Sequence, residues 1–195
     1  MLEILSKEIF PGIKIYSNVF PEAMDFIQEI EDFAKNRDIF WGFGVSTDLD
    51  GNKILNFKLR NVLQVEIPYD NFEGKEFLRE YSERLKKIFE VYENDYKEEY
   101  PFNTSTHERF LILKYKKGQY SKDHTDDQTF TPRRISSIYY PNDDYTGGEL
   151  EFAKFDISIK PKAGDLIIFP SNYVYAHRVL PVTEGIRYAI ISFIA

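Results

Sequence analysis

Hydrophobic positions along the chain change their period near residue 105, and the change separates two textures. In the first, apolar residues recur at helical spacing. Ala23, Ile27, Ile30 and Ala34 step by 4, 3 and 4, with Phe26 and Phe33 widening the stripe. This predicts an amphipathic helix over 21–36, opened by Pro21 with Glu22 and Asp25 in its first turn. A longer stripe of Leu78, Tyr81, Leu85, Ile88, Tyr92 and Tyr96 lies opposite Glu80, Glu83, Arg84, Lys86 and Lys87, predicting a helix over 75–98. Residues 13–16 and 62–67 alternate and read as short strands. Residues 41–54 read as a loop or hairpin turning at Asp50-Gly51-Asn52. Asp48 and Asp50 lack the spacing of a calcium loop and are read as turn residues.

Beyond residue 105 the period falls to two. Strand-like runs occupy 108–115, 119–125, 134–140, 149–153, 156–160, 164–169, 174–180 and 186–194, with turn signals at 141–144, 147–148, 161–164 and 181–185. Such runs suit a sandwich, barrel or jelly roll. The predicted class is therefore α+β, with early helices buttressing a small β-core. No linker or repeat interrupts the pattern. Residues 1–195 read as a single domain, with 1–105 as helix and strand support and 106–195 as the core.

Composition narrows the chemistry. With no Cys among 195 residues, disulfide frameworks, thiolate metal sites and cysteine nucleophiles are excluded. A hydrophobic content of 43% excludes wholesale disorder. No run approaches the length of a membrane span and no secretory signal opens the chain, so a cytoplasmic location without membrane contact is expected. Residues 1–100 hold 21 of the 32 acidic and 13 of the 25 basic side chains, a balance of −8, which leaves 11 and 12, or +1, for the rest. The net −7 offers no broad basic field, which disfavours nucleic acid as a partner. No residue pattern points to an oligomeric state.

Histidine occurs only at 107, 124 and 177. His124 and Asp126 stand two apart at the end of a strand-like run and so project from one face. With His177, in another strand pattern, they could form the two-His, one-carboxylate set that suits non-haem Fe(II). The alternative is that His124 caps a turn beside Asp123, Asp126 and Asp127. Arg187 tilts the balance, because it opens a strand too apolar to be a wet edge, and a buried guanidinium requires an anionic partner. Glu184, in the preceding turn, is the one acidic neighbour in that hairpin. A planar donor fork beside a metal suits a small carboxylate, such as a keto acid chelated at the iron.

Taken together, Tyr115-Lys116-Lys117-Gly118-Gln119 leading to His124-x-Asp126, Ile138-Tyr139-Tyr140-Pro141-Asn142, Gly147-Gly148-Glu149-Leu150, Pro161 to Asp165 with Phe169-Pro170, and His177-Arg178-Val179 to Gly185-x-Arg187-Tyr188 are distinctive in order and spacing. Over 107–195 the sequence resembles the 2-oxoglutarate- and Fe(II)-dependent dioxygenases, in their prolyl 4-hydroxylase-like branch. The resemblance implies a double-stranded β-helix (jelly-roll) fold with the site in its mouth. It assigns His124, Asp126 and His177 to iron and Arg187 to the distal carboxylate of 2-oxoglutarate. Tyr140, in preference to Tyr139, adds a hydroxyl there, and Tyr115 lies by the metal-proximal end. O2 is the oxidant and L-ascorbate the implied reductant.

One departure stands out: related prolyl hydroxylases often carry a hydroxyl residue four after the arginine, where this chain has Ile191. The implied reaction hydroxylates an unactivated C–H bond and decarboxylates 2-oxoglutarate to succinate. A peptidyl residue such as proline is the expected substrate, with a free amino acid or small metabolite as alternatives. Nucleic-acid dealkylation is suggested by Lys114, Lys116, Lys117, Lys122 and Arg133-Arg134, but that branch carries a second arginine where this chain has Phe193. A jelly-roll binding module without catalysis is the non-enzymatic alternative, and Asp126 argues against halogenation. The stretch Pro141 to Gly148 and the loop around Trp41 and Phe43 are candidates to cover substrate, and His107 reads as a structural histidine.

Overall fold

The computed structural model describes residues 4–20, 23–36, 39–47, 52–73, 76–103, 106–128 and 132–195. Three predominantly apolar strands, Phe110–Tyr115, Ile135–Tyr140 and Arg187–Ile194, are each buried along their whole length. Strands of that kind need cover on both faces. They form the middle of an eight-stranded antiparallel sheet, ordered Ser6–Phe10, Ile13–Tyr16, Asp165–Pro170, Ile135–Tyr140, Arg187–Ile194, Phe110–Tyr115, Leu63–Ile67 and Gly42–Phe43. A second sheet of five strands runs Ile157–Ile159, Leu150–Phe152, His177–Val179, Tyr120–His124 and Arg60–Asn61. From residue 110 onward the chain passes back and forth between the two sheets, which makes the architecture jelly-roll-like, mostly β with helices on one side.

Alternation along the strands sorts side chains into two layers. Leu113, Tyr115, Ile138, Tyr140, Ile167, Phe169 and Ala189 point between the sheets and meet Leu150, Phe152 and Val179. Their neighbours Ile112, Tyr139, Ile168, Tyr188 and Ile190 point the other way. There they share a core with Phe26, Ile27 and Ile30 of α1 (Ala23–Lys35) and with Tyr81, Leu85, Ile88 and Phe89 of α2 (Arg79–Glu99). Polar contacts add orientation: Glu31 of α1 accepts from Lys114 at 2.5 Å and from Tyr188 at 2.7 Å. On α2, Glu99 accepts from Lys14 at 2.8 Å and Asp95 from the Tyr16 hydroxyl at 2.8 Å.

Several boundaries differ from the periodic reading. Pro21 and Glu22 of the predicted first helix lie outside the described residues, as do Asp48, Asp50 and Gly51 of the predicted turn. The flanks of that turn, Ser46–Thr47 and Lys53–Ile54, do pair as a hairpin. The second helix is entered through a 3-10 turn at Glu76–Leu78 and runs to Glu99. Tyr173–Tyr175 is a 3-10 turn and not strand, because the Asn172 side chain accepts the Val174 N–H at 2.9 Å, so the strand begins only at His177. Val182–Glu184, read as turn, pairs with Thr146–Gly147. Gly147 (φ +69°) allows this approach, since a Cβ there would lie 2.3 Å from the Pro181 carbonyl oxygen.

One acid lies where water cannot reach it. Glu93 of α2 is 1% exposed, and its Oε1 accepts from Ser137 at 2.7 Å. Its Oε2 has no hydrogen bond and stands 3.7 Å from His107 Nδ1. Burial pushes the Glu93 carboxyl up to about 7 against the opposing pulls of Ser137 and Lys97, with Glu90 adding to the rise. The folded chain therefore holds a proton that the unfolded chain releases near its ordinary value of 4.5. This contribution is fully present below that value and is lost as pH rises through about 7. Glu93→Gln is expected to leave stability near pH 4 unchanged and to raise it near pH 8, by on the order of 3 kcal/mol. Urea denaturation at the two pH values measures the difference, and an equal effect at both would refute the titration.

Candidate active site

His124 ends one strand of the smaller sheet, His177 begins its neighbour, and the two are direct cross-strand partners. Their rings stand 4.5 Å apart between centroids. Asp126, two residues past His124, turns its carboxylate toward both: Oδ1 is 3.7 Å from His124 Nε2 and Oδ2 is 3.6 Å from His177 Nε2. One ligand atom from each of the three residues falls within 4.8 Å of the others. Asp126 and His177 are buried and His124 is half-buried.

Backbone carbonyls set the ring orientations. His124 Nδ1 lies 2.8 Å from the Lys122 oxygen, and His177 Nδ1 lies 3.1 Å from the Tyr175 oxygen. With the Nδ1 protons donated there, both Nε2 lone pairs point at the centre of the cluster, the tautomer a metal requires. Burial, with the neighbouring His177 ring, pushes the His124 imidazole down to about 4, so it is neutral at physiological pH. Burial works to raise the Asp126 carboxyl, yet the imidazoles, the Ser136 hydroxyl and Arg133 hold it below its ordinary value. Ser136 donates to Asp126 Oδ2 at 2.6 Å and lies 2.8 Å from the Ser171 hydroxyl. Phe169 packs edge-on against His177 at 4.9 Å and Phe152 lies at 5.7 Å, keeping that side of the cluster apolar.

Arg187 is 1% exposed, and no carboxylate pairs with it among the described residues. Its Nε and Nη1 have no hydrogen-bond partner. The guanidinium lies 4.8 Å from the ring centre of Tyr115, its cross-strand partner, and 5.1 Å from that of Tyr140. The hydroxyls of Tyr140 and Tyr145 are also buried without a hydrogen bond. Burial raises both hydroxyls, and the adjacent guanidinium pulls them the other way. Four orphaned polar atoms, two on the cation and two beside it, leave the place for an anion with several acceptor lone pairs. Glu184 does not fill it. Tyr139, on the opposite face of its strand, donates its hydroxyl to the Phe20 carbonyl and takes no part here.

Sequence reasoning missed Ser136, Ser171, Tyr145 and Lys160. Strand parity could have found Ser136, since 136, 138 and 140 share a face. No local signal marks Tyr145. His107 forms a bridge to Ile194 and stacks on Tyr69 at 4.6 Å, away from the cluster. The basic run that suggested nucleic acid is partly committed elsewhere, as Lys114 pairs with Glu31 and Arg133 with Glu108.

Two imidazoles and one carboxylate, oriented by their hydrogen bonds, fit a metal that keeps its remaining positions open, as in the non-haem iron oxygenases. Residues 110–195 match the family model described as the 2OG-Fe(II) oxygenase superfamily. A PKHD-type hydroxylase of Idiomarina loihiensis is 36% identical over 92 residues, 44% of this chain and 41% of that protein. Human prolyl 3-hydroxylase 2 is 42% identical over 66 residues, 31% of this chain and 9% of its own length. The chain thus spans well under half of these curated relatives. In fold it is similar to a prolyl hydroxylase of Trichoplax adhaerens in complex with a hypoxia inducible factor peptide fragment (TM-score 0.70, 17% identity, 94% of this chain and 83% of that one). It is also similar to the viral collagen prolyl hydroxylase of Paramecium Bursaria Chlorella virus-1, a 2OG complex (TM-score 0.64, 20% identity, 94% and 95%).

Proposed function

We propose that this protein is an Fe(II)- and 2-oxoglutarate-dependent dioxygenase that hydroxylates an unactivated C–H bond of a peptidyl residue such as proline. The observation that carries this reading is the pairing of an oriented His124–Asp126–His177 cluster with a buried guanidinium that has no carboxylate of its own. His124, Asp126 and His177 would hold Fe(II). Arg187 and Tyr140 would hold the distal carboxylate of 2-oxoglutarate, with Tyr115 closing the wall toward the metal. Bound iron, with O2 and 2-oxoglutarate, would supply an oxidation in which one oxygen atom enters succinate as CO2 is lost and the other enters the substrate C–H bond.

The chain itself would orient and exclude. Lys122 and Tyr175 fix the imidazoles through their carbonyls, Ser136 fixes the carboxylate, and Phe152 and Phe169 keep water from one side. A peptidyl substrate is favoured by the relatives' names and by an exposed apolar patch. Phe43 and Phe57 meet edge to face at 5.0 Å and are about half exposed. The Phe57 carbonyl accepts from Tyr120, on the strand that ends in His124, at 3.4 Å. This patch would cover an extended peptide at the mouth. In the same reading α1 and α2 buttress the larger sheet, and residues 1–195 act as one unit.

Purified protein with Fe(II), O2 and L-ascorbate is expected to convert 2-oxoglutarate to succinate, with a proline-containing peptide stimulating turnover and gaining the mass of one oxygen. Full metal binding without any 2-oxoglutarate consumption would sink the proposal. Consumption that no peptide stimulates would move the substrate to small molecules.

A further inference from the structure

The Arg187 pocket holds one more tyrosine than the family resemblance assigns to it. Tyr145 is 4% exposed, and its hydroxyl, like that of Tyr140, lacks a hydrogen bond. A buried phenol left unpaired is costly unless something arrives to accept its proton. The backbone brings this ring against the arginine. Gly148 has φ +67°, and a Cβ added there would lie 2.9 Å from Arg187 Cδ and 3.2 Å from Tyr145 Cε2, so only glycine permits the approach. From the outer side Lys160 clamps the same segment. Its ammonium donates to the carbonyls of Tyr145 at 2.9 Å and Gly147 at 2.7 Å, and sits 3.4 Å from the Tyr145 ring centre.

This arrangement supplies what the strand lacks. The place four residues after Arg187, where related enzymes often offer a hydroxyl, is Ile191, which can donate nothing. We propose that Tyr145 donates its hydroxyl to the distal carboxylate of 2-oxoglutarate, as the second tyrosine of the Arg187 site, and that Lys160 positions its ring. The inference rests on the reading of Arg187 as the cosubstrate anchor. A terminal carboxylate has acceptor capacity for a bidentate guanidinium and two phenols together. A methyl group in its place has none.

Calorimetric titration of Mn(II)-loaded protein, which does not depend on turnover, tests this with 2-oxoglutarate and with 2-oxopentanoate, the same acid with a methyl group for the distal carboxylate. Tyr145→Phe is expected to weaken 2-oxoglutarate roughly 10- to 100-fold, the range of a hydrogen bond to a charged group, and to leave 2-oxopentanoate unchanged. Lys160→Met, at an exposed position, should give a smaller loss selective for 2-oxoglutarate. The double variant should bind no worse than Tyr145→Phe alone, since Lys160 acts through that ring. Wild-type affinity for 2-oxoglutarate in both single variants would overturn the inference while leaving the Arg187 reading intact. Equal losses for both acids would reduce Tyr145 to packing and overturn it too. Failure of the wild-type protein to bind 2-oxoglutarate would instead overturn the reading on which it rests.

Discussion

Arg187→Met is expected to cut kcat/KM for 2-oxoglutarate by roughly 10²- to 10³-fold or more and, without ligand, to raise the melting temperature. The two effects have one cause. Arg187 is buried in the inter-sheet core with two donor nitrogens unpaired, so the free protein carries most of the desolvation cost of a charge, several kcal/mol after relaxation. Against that stand the Tyr115 and Tyr140 ring faces, worth about 0.5–2 kcal/mol each, and the neighbouring Tyr145 hydroxyl. The cost exceeds the return until an anion arrives. Methionine fills a similar shape and removes both the charge and the orphaned donors. A gain of about 1–3 kcal/mol would shift melting by several degrees in a chain of this length. Calorimetric melting with and without 2-oxoglutarate separates the outcomes. The wild type should gain stability with ligand, and the variant should start higher and gain nothing. A variant that melts below the ligand-free wild type would show the guanidinium to be a structural group and not one held ready for a carboxylate.

That trade-off explains why Arg187 could be singled out from sequence while its neighbours could not. A charged residue opening Arg187–Ile194, a strand otherwise almost wholly apolar, contradicts its surroundings, and such contradictions tend to mark function. The two helices were legible for the opposite reason: each has one wet face, so its stripe of apolar residues stands out. His124 and Asp126 were readable because strand parity puts them on one face, and His177 because histidine is so scarce here. The resemblance alone ranks Tyr140 above Tyr139, and the sheet supplies the physical reason: Tyr140 looks between the sheets and Tyr139 toward the helices. Ser136 is an ordinary serine until the register of Ile135–Tyr140 sets it against Asp126. Tyr145 and Lys160 are brought together by the glycine turn and by pairing of Thr146–Gly147 with Val182–Glu184, contacts that no local pattern encodes. The strand Val182–Glu184 was hidden for the same reason, since Pro181 and Gly185 advertise a turn and the partner lies far back in the chain.

Asp126→Ala is expected to remove measurable turnover, a fall of at least about 10³-fold, together with stoichiometric metal binding, while the protein remains folded. Among the described residues Asp126 is the one anionic donor of the cluster and the one carboxylate that faces both imidazoles, with oxygens 3.7 Å and 3.6 Å from their Nε2 atoms. Without it two imidazoles remain, a donor pair that neither balances a divalent charge nor fixes a facial geometry. The fold should survive because the Ser136 hydroxyl, released from Asp126, keeps its contact with Ser171 at 2.8 Å. Removing that hydroxyl instead gives the graded comparison. Ser136→Ala leaves all three donors in place but frees the carboxylate to rotate, so metal affinity should fall by about 10- to 100-fold, the usual effect of a lost outer hydrogen bond. Metal content after dialysis, read beside the melting curve, distinguishes the two. A metal-replete Asp126→Ala protein would show that iron is held by other residues. A Ser136→Ala variant as depleted as Asp126→Ala would mean that the serine, and not the carboxylate it orients, is what the metal requires.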